Sequence, residues 1–141
     1  PNLNPPVTTV EQALAYRHRI LDALPKDSRF KPLMTLYLTD NTAADEIDRV
    51  ADSEHVYALK YYPAGATTNS DHGVTDIHKI YPVLERMQRH RVPLLVHGEI
   101  TDSDIDVFDR EQVFIERILE PLLQRFPELK IRLYHRHQGR R

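Results

Sequence analysis

Cysteine is absent from these 141 residues. Disulfides, thiolate metal sites and cysteine nucleophiles are therefore excluded together, and a reducing, cytoplasmic setting fits. Long hydrophobic runs are missing as well. No stretch reads as a signal peptide, and none approaches the roughly 20 apolar residues that span a bilayer. Glycine is scarce, four in all, and no glycine-rich phosphate loop follows an apolar run, which argues against Rossmann and P-loop nucleotide sites. A strong charge of one sign is also lacking. Nineteen Lys/Arg against 21 Asp/Glu give a formal net charge of −2, so bulk electrostatics favour neither nucleic acid nor an anionic membrane.

What is present is the composition of one globular domain with an alternating pattern of periodicities. Thr8-Thr9-Val10-Glu11 reads as a capping box, and the helix it opens is expected to reach Leu24, with Val10, Leu14, Ile20, Leu21 and Leu24 as its apolar stripe. Leu33 to Leu38 is a short apolar strand. Thr42 is placed to cap a second helix ending near Ser53, and Val56 to Tyr61 is the next strand. A loop from Pro63 to Gly73 precedes a third helix, Asp76 to His90, with Ile77, Ile80, Leu84 and Met87 on one face. Pro93 to His97 is a third strand. Asp109 is placed to cap a fourth helix to Phe126, and Lys130 to Leu133 is a last strand. Strands alternating with helices imply βαβ units and a parallel sheet. A complete (β/α)₈ barrel needs about 250 residues, so a barrel reading makes this chain a part of one.

In parallel α/β folds, functional side chains gather at the carboxyl ends of strands. Lys60 ends the second strand. It is either a lysine leaving the sheet for water or a partly desolvated amine of lowered pKa, and spacing leaves both open. His97 ends the third strand, followed by Gly98 and Glu99. It is either a metal or catalytic residue or a histidine satisfied by a neighbouring carbonyl. The Pro63–Gly73 loop exceeds the usual two to six residues of a βα connection and reads as a lid or a solvated excursion. Asp102, Asp104, Asp106 and Asp109 lack the spacing of a calcium loop and read as turn and cap carboxylates. His135 and His137 lie in a basic terminus and suggest metal binding only weakly against disorder.

Three stretches together resemble the bacterial-type dihydroorotases, homodimeric members of the amidohydrolase superfamily. They are Pro1-Asn2-Leu3 with Pro5-Pro6-Val7-Thr8-Thr9; Leu59-Lys60-Tyr61-Tyr62-Pro63-Ala64 with Ala66-Thr67-Thr68-Asn69-Ser70; and Pro93-Leu94-Leu95-Val96-His97-Gly98-Glu99 with Asp104 through Glu111. The resemblance covers residues 1–133 and implies an α/β fold, a partial (β/α)₈ TIM barrel. It implies a cytoplasmic enzyme with two zinc ions, which reversibly closes N-carbamoyl-L-aspartate to dihydroorotate in pyrimidine biosynthesis.

By the same resemblance, Lys60 becomes a CO₂-derived carbamate that bridges both metals. His97 ligates the second zinc beside the substrate. Asn2 meets the substrate carboxylate, and Thr67 and Thr68 lie on a loop that closes over it. His135 falls in register with a further zinc-binding histidine. Neither nucleic acid nor membrane is an expected partner. The first-strand His-x-His pair and the last-strand aspartate of the family have no counterpart here. Residues 136–141 do not resemble the family, and 134–141 read as a basic tail that a shift of reading frame would explain. The chain by itself is expected to be inactive, and the competing reading is a non-catalytic remnant.

Overall fold

A computed structural model describes residues 1–134. Its framework is a four-stranded parallel sheet in the order β1-β2-β3-β4: Met34–Leu38, Val56–Tyr61, Leu94–His97 and Ile131–Tyr134. Helices α1 (Val10–Ala23), α2 (Ala44–Asp52) and α3 (Tyr81–His90) precede β1, β2 and β3 in turn. Before β4 the chain runs through α4 (Arg110–Phe114), a π-helical turn (Ile115–Leu119) and α5 (Glu120–Arg125). Consecutive parallel neighbours joined by helices are the expected α/β plan, an arc of a barrel.

The strand rows alternate between two faces, because successive side chains of a strand point oppositely. Leu36, Leu59, Leu94 and Ile131 form one row; Leu38, Tyr61, Val96 and Leu133 form another. Both rows belong to the main apolar core with Ile47, Val50, Val83, Leu84 and Met87 from the helices. Between them runs the row Tyr37, Lys60, Leu95 and Arg132, which faces the other way, and beyond it His97 pairs with Tyr134.

Several local expectations shift. The N-cap of α1 is Thr9, whose hydroxyl accepts the Gln12 N–H at 3.2 Å, while the Gln12 side chain accepts the Thr8 N–H at 2.9 Å. The capping pair is thus Thr9 and Gln12 rather than Thr8 and Glu11. The buried line of α1 runs through Ala13, with Val10, Tyr16 and Ile20 packed on the core, and not through Leu14 and Leu21. Thr42 does not cap α2. Its hydroxyl accepts the Thr39 N–H at 2.9 Å inside the preceding turn, and Ala43 takes the N-cap position. Leu33 is 66 % exposed and outside β1.

The third helix opens as a 3₁₀ turn, Ile77–Ile80, capped by Asp76 through the His78 N–H. Its C-terminus closes on Arg91 in the left-handed region at φ 57°, with Val92 N–H bonded to the Met87 carbonyl and Arg91 N–H to that of Gln88. This is the double bond pattern that ends many helices. Asp109 makes no side-chain cap bond to α4. Pro121 has no N–H for the preceding turn, and the chain widens just before it, with Glu120 N–H reaching the Ile115 carbonyl five residues back. Asp102 and Asp106 do serve turns, accepting the N–H groups of Asp104 and Phe108. His135 and the 135–141 part of the basic tail lie outside the described residues.

Candidate active site

Lys60 stands at the last but one position of β2 and His97 at the end of β3. Lys60 is level with Leu95, so Lys60 and His97 project from the same face, two residues apart in register. Both are partly buried. Desolvation lowers the Lys60 amine from 10.5 to about 8. At that value about one amine in ten is neutral at pH 7, where an ordinary lysine is almost wholly charged. Its Nζ lies 5.1 Å from the Tyr62 ring centre and 4.5 Å from that of Tyr134. The ring faces favour the charged form, but water excluded by the same rings is the larger effect.

Tyr62 packs against both residues. Its ring centre is 5.8 Å from the His97 ring and 5.4 Å from the Tyr37 ring, the latter pair stacked. Its hydroxyl donates to Asn2 Oδ1 at 3.1 Å, and Asn2 Nδ2 donates to the Thr68 carbonyl at 3.1 Å. The Tyr37 hydroxyl donates to the Asn69 carbonyl at 3.3 Å, and burial together with Tyr62 pushes that phenol up to about 12. The sequence-derived Asn2, Lys60, Thr68 and His97 are therefore joined by one aromatic patch. The Thr67 and Thr68 side chains sit in exposed residues at the loop tip.

The loop that carries these threonines is folded, not loose. The buried Ser70 hydroxyl donates to the Thr67 carbonyl and accepts the Thr67 N–H. Gly65 and Asn69 take positive φ. The stem closes by a bridge between Pro63 and Val74, with Val74 N–H bonded to the Tyr62 carbonyl at 2.8 Å. A Cβ at Gly73 would lie 2.5 Å from that carbonyl and 2.9 Å from two more backbone atoms, so only glycine fits the approach.

On its far side His97 meets Glu99. Nε2 lies 3.0 Å from Glu99 Oε2, and the other carboxylate oxygen is 3.6 Å from Arg110 Nη1. The Arg110 Nε in turn donates to the Ile105 carbonyl. A cleft of about 250 Å³ opens here, lined by His97, Glu99, Phe108, Arg110 and Tyr134 among others. The residues missed by sequence reasoning are Tyr62, Glu99 and Tyr134. The first two stand two positions after Lys60 and His97, so the alternation of a strand edge was the available signal.

For a metal, the donor set is partial. No group of three His, Asp or Glu side chains suited to an ion occurs among the described residues. Lys60 and His97 on one face fit two positions of such a set: one is an amine poised to lose its proton and the other is a ring nitrogen. No helix among the described residues is long and apolar enough to cross a membrane.

These features define the class: an arc of a β/α barrel whose reactive side chains gather at the carboxyl rim of its strands. The chain belongs to the amidohydrolase family, whose model matches residues 6–136. Among curated relatives it is similar to dihydroorotases of Nitrosococcus oceani and Cupriavidus necator, each 64 % identical over 135 residues. Both alignments cover 96 % of this chain and 39 % of the relative. The chain thus spans about two-fifths of their length. Among solved structures it resembles dihydroorotase from Campylobacter jejuni, with a TM-score of 0.84 and 43 % identity over 96 % of this chain and 38 % of that one. Dihydroorotase from Saccharomyces cerevisiae in complex with 5-fluoroorotic acid gives a TM-score of 0.84 at 36 % identity, with the same coverage.

Proposed function

We propose that this chain is a portion of a cytoplasmic, homodimeric dihydroorotase, the hydrolase that interconverts N-carbamoyl-L-aspartate and dihydroorotate. The observation that carries the reading is Lys60. It is desolvated until its amine titrates near 8 and stands on the same face as His97. A neutral amine can attack CO₂: the nitrogen lone pair forms the N–C bond, the amine sheds a proton, and an anionic carbamate with two donor oxygens results. His97 supplies a ring nitrogen on the same face, its ring held by Glu99 at 3.0 Å. Two zinc ions, when bound, would acidify a water and polarise the ring amide carbonyl.

The remaining residues bind and enclose. Asn2 presents its amide to a substrate carboxylate, and the Thr67–Thr68 turn lies over the same face. The yeast relative's complex with 5-fluoroorotic acid supports an orotate-like ligand. The barrel portion takes in Tyr134, the last residue of β4 and the register partner of His97, which the sequence pattern alone assigns to the basic tail. With only Lys60 and His97 placed as donors among the described residues, this chain by itself is expected to turn over no dihydroorotate and to bind zinc loosely.

The test is a chimera in which residues 1–133 replace the matching segment of the Nitrosococcus oceani dihydroorotase. Activity in the chimera, with a loss of at least about a thousandfold on Lys60→Ala, is the expected result. A folded chimera without activity, or one indifferent to Lys60, overturns the reading. Tight binding of two zinc ions by the isolated chain would overturn the view that it is incomplete.

A further inference from the structure

The interactions of Tyr62 serve three different structures. Its ring centre lies 5.1 Å from Lys60 Nζ and 5.8 Å from the His97 ring, so it packs against both candidate reactive groups. Its hydroxyl reaches the loop tip through Asn2, by two bonds of 3.1 Å each. Its carbonyl holds the loop stem at Val74, with Gly73 pressed against it. The stacked Tyr37 at 5.4 Å fixes the ring from behind and binds the loop a second time at Asn69.

We propose that Tyr62 is a positioning residue that couples the Thr67–Thr68 loop to Lys60 and His97: the ring sets the spacing of the reactive pair, and the hydroxyl, relayed by Asn2, sets the position of the loop above it. The proposal deepens the dihydroorotase reading in naming Lys60 and His97 as the groups positioned. The coupling itself is a property of the chain as it stands. A phenol suits the task because its apolar body packs while its polar tip reaches a partner. Phenylalanine would keep the ring contacts and lose the relay, and leucine would lose both.

The experiment follows the full 141-residue chain by amide hydrogen exchange and by NMR of the Lys60 ε-methylene and His97 ring protons. Ring currents from Tyr62 give those signals a signature that depends on the aromatic ring and not on the hydroxyl. In Tyr62→Phe the loop amides of residues 67–70 should exchange roughly threefold to tenfold faster, the worth of one net hydrogen bond. The Lys60 and His97 signals should stay in place. Asn2→Ala should speed the same amides equally, and the double variant should add nothing further, because both residues belong to one relay. Tyr62→Leu should displace the Lys60 and His97 signals as well.

Unchanged loop exchange in Tyr62→Phe, or additive effects in the double variant, overturns the relay even if Tyr62→Leu fails to fold. Movement of the Lys60 signal in Tyr62→Phe overturns the division of labour between ring and hydroxyl. Failure of the dihydroorotase reading would appear only in the chimera, which none of these measurements uses.

Discussion

The two faces of the sheet meet different surroundings. On one, Leu36, Leu38, Leu59, Leu94 and Val96 are at most 1 % exposed beneath the helices. On the other, Tyr37 and Tyr62 are buried, Lys60 and His97 are half-buried, and Tyr134 is 49 % exposed. The first face is aliphatic and closed. The second is aromatic and cationic, and water reaches its margin. Stability resides mainly in the first, where apolar area is removed from water at about 25 cal/mol per Å². The second accepts a desolvated ammonium, a group that folding alone would reject.

The sharpest way to break this comparison is to truncate one residue on each face of β3. Leu94→Ala should lower the unfolding free energy by about 2–5 kcal/mol, since the helices above it relax only partly into the cavity. His97→Ala, four ångströms or so of chain away in effect but facing outward, should cost about 1 kcal/mol or less. Urea midpoints measure both. Equal losses would mean that the open face is part of the core.

The next effect sharpens the comparison through pH. Lys60 titrates near 8 in the folded chain and near 10.5 when unfolded. Below about pH 8 it is charged in both states, so the cost of burying its charge is fully present. Between 8 and 10.5 the folded chain releases the proton while the unfolded chain keeps it, so stability rises with pH. Above 10.5 both states are neutral and the cost is gone. Lys60→Met removes this dependence. Urea midpoints of the two proteins should therefore draw together as pH rises from about 7 to 10, with the variant more stable at the lower end. A constant difference would show that the amine is not desolvated.

The smallest expected effect lies on the closed side, where α3 ends. Arg91 holds φ 57° in an exposed position. Arg91→Gly should relieve the left-handed strain and raise stability by about 0.5–1 kcal/mol, read as a rise in melting temperature.

The closed face was the more legible in the sequence. Apolar runs such as Leu33–Leu38 and Pro93–His97 announce strands buried on one side by helices, and the strands came within a residue or so of those expectations. Lys60 and His97 stood out as polar endings of apolar runs, and the strand-end rule found them. Tyr62 did not, because a tyrosine after an apolar strand reads as core and its hydrogen-bond partner, Asn2, is sixty residues away. Capping was also hard to place. Thr8 and Thr9, or Thr42 and Ala43, differ by one position, and long-range contacts decide between them: Val10 N–H at the start of α1 is taken by the Glu46 carboxylate at 2.8 Å.

The wide turn ahead of Pro121 has a geometric consequence. Phe114 and Leu122 are both 2 % exposed. In an unbroken α-helix, eight residues would leave them about 80° apart around the axis. The π turn absorbs roughly one residue of rotation, about 100°, and returns Leu122 to nearly the same side as Phe114. The bulge acts as a phase correction. Deleting a single residue from Ile115–Leu119 would let a regular helix form while keeping Phe114, Leu122 and Phe126 aligned toward the sheet, whereas replacing Pro121 alone would set the preference for regularity against that alignment.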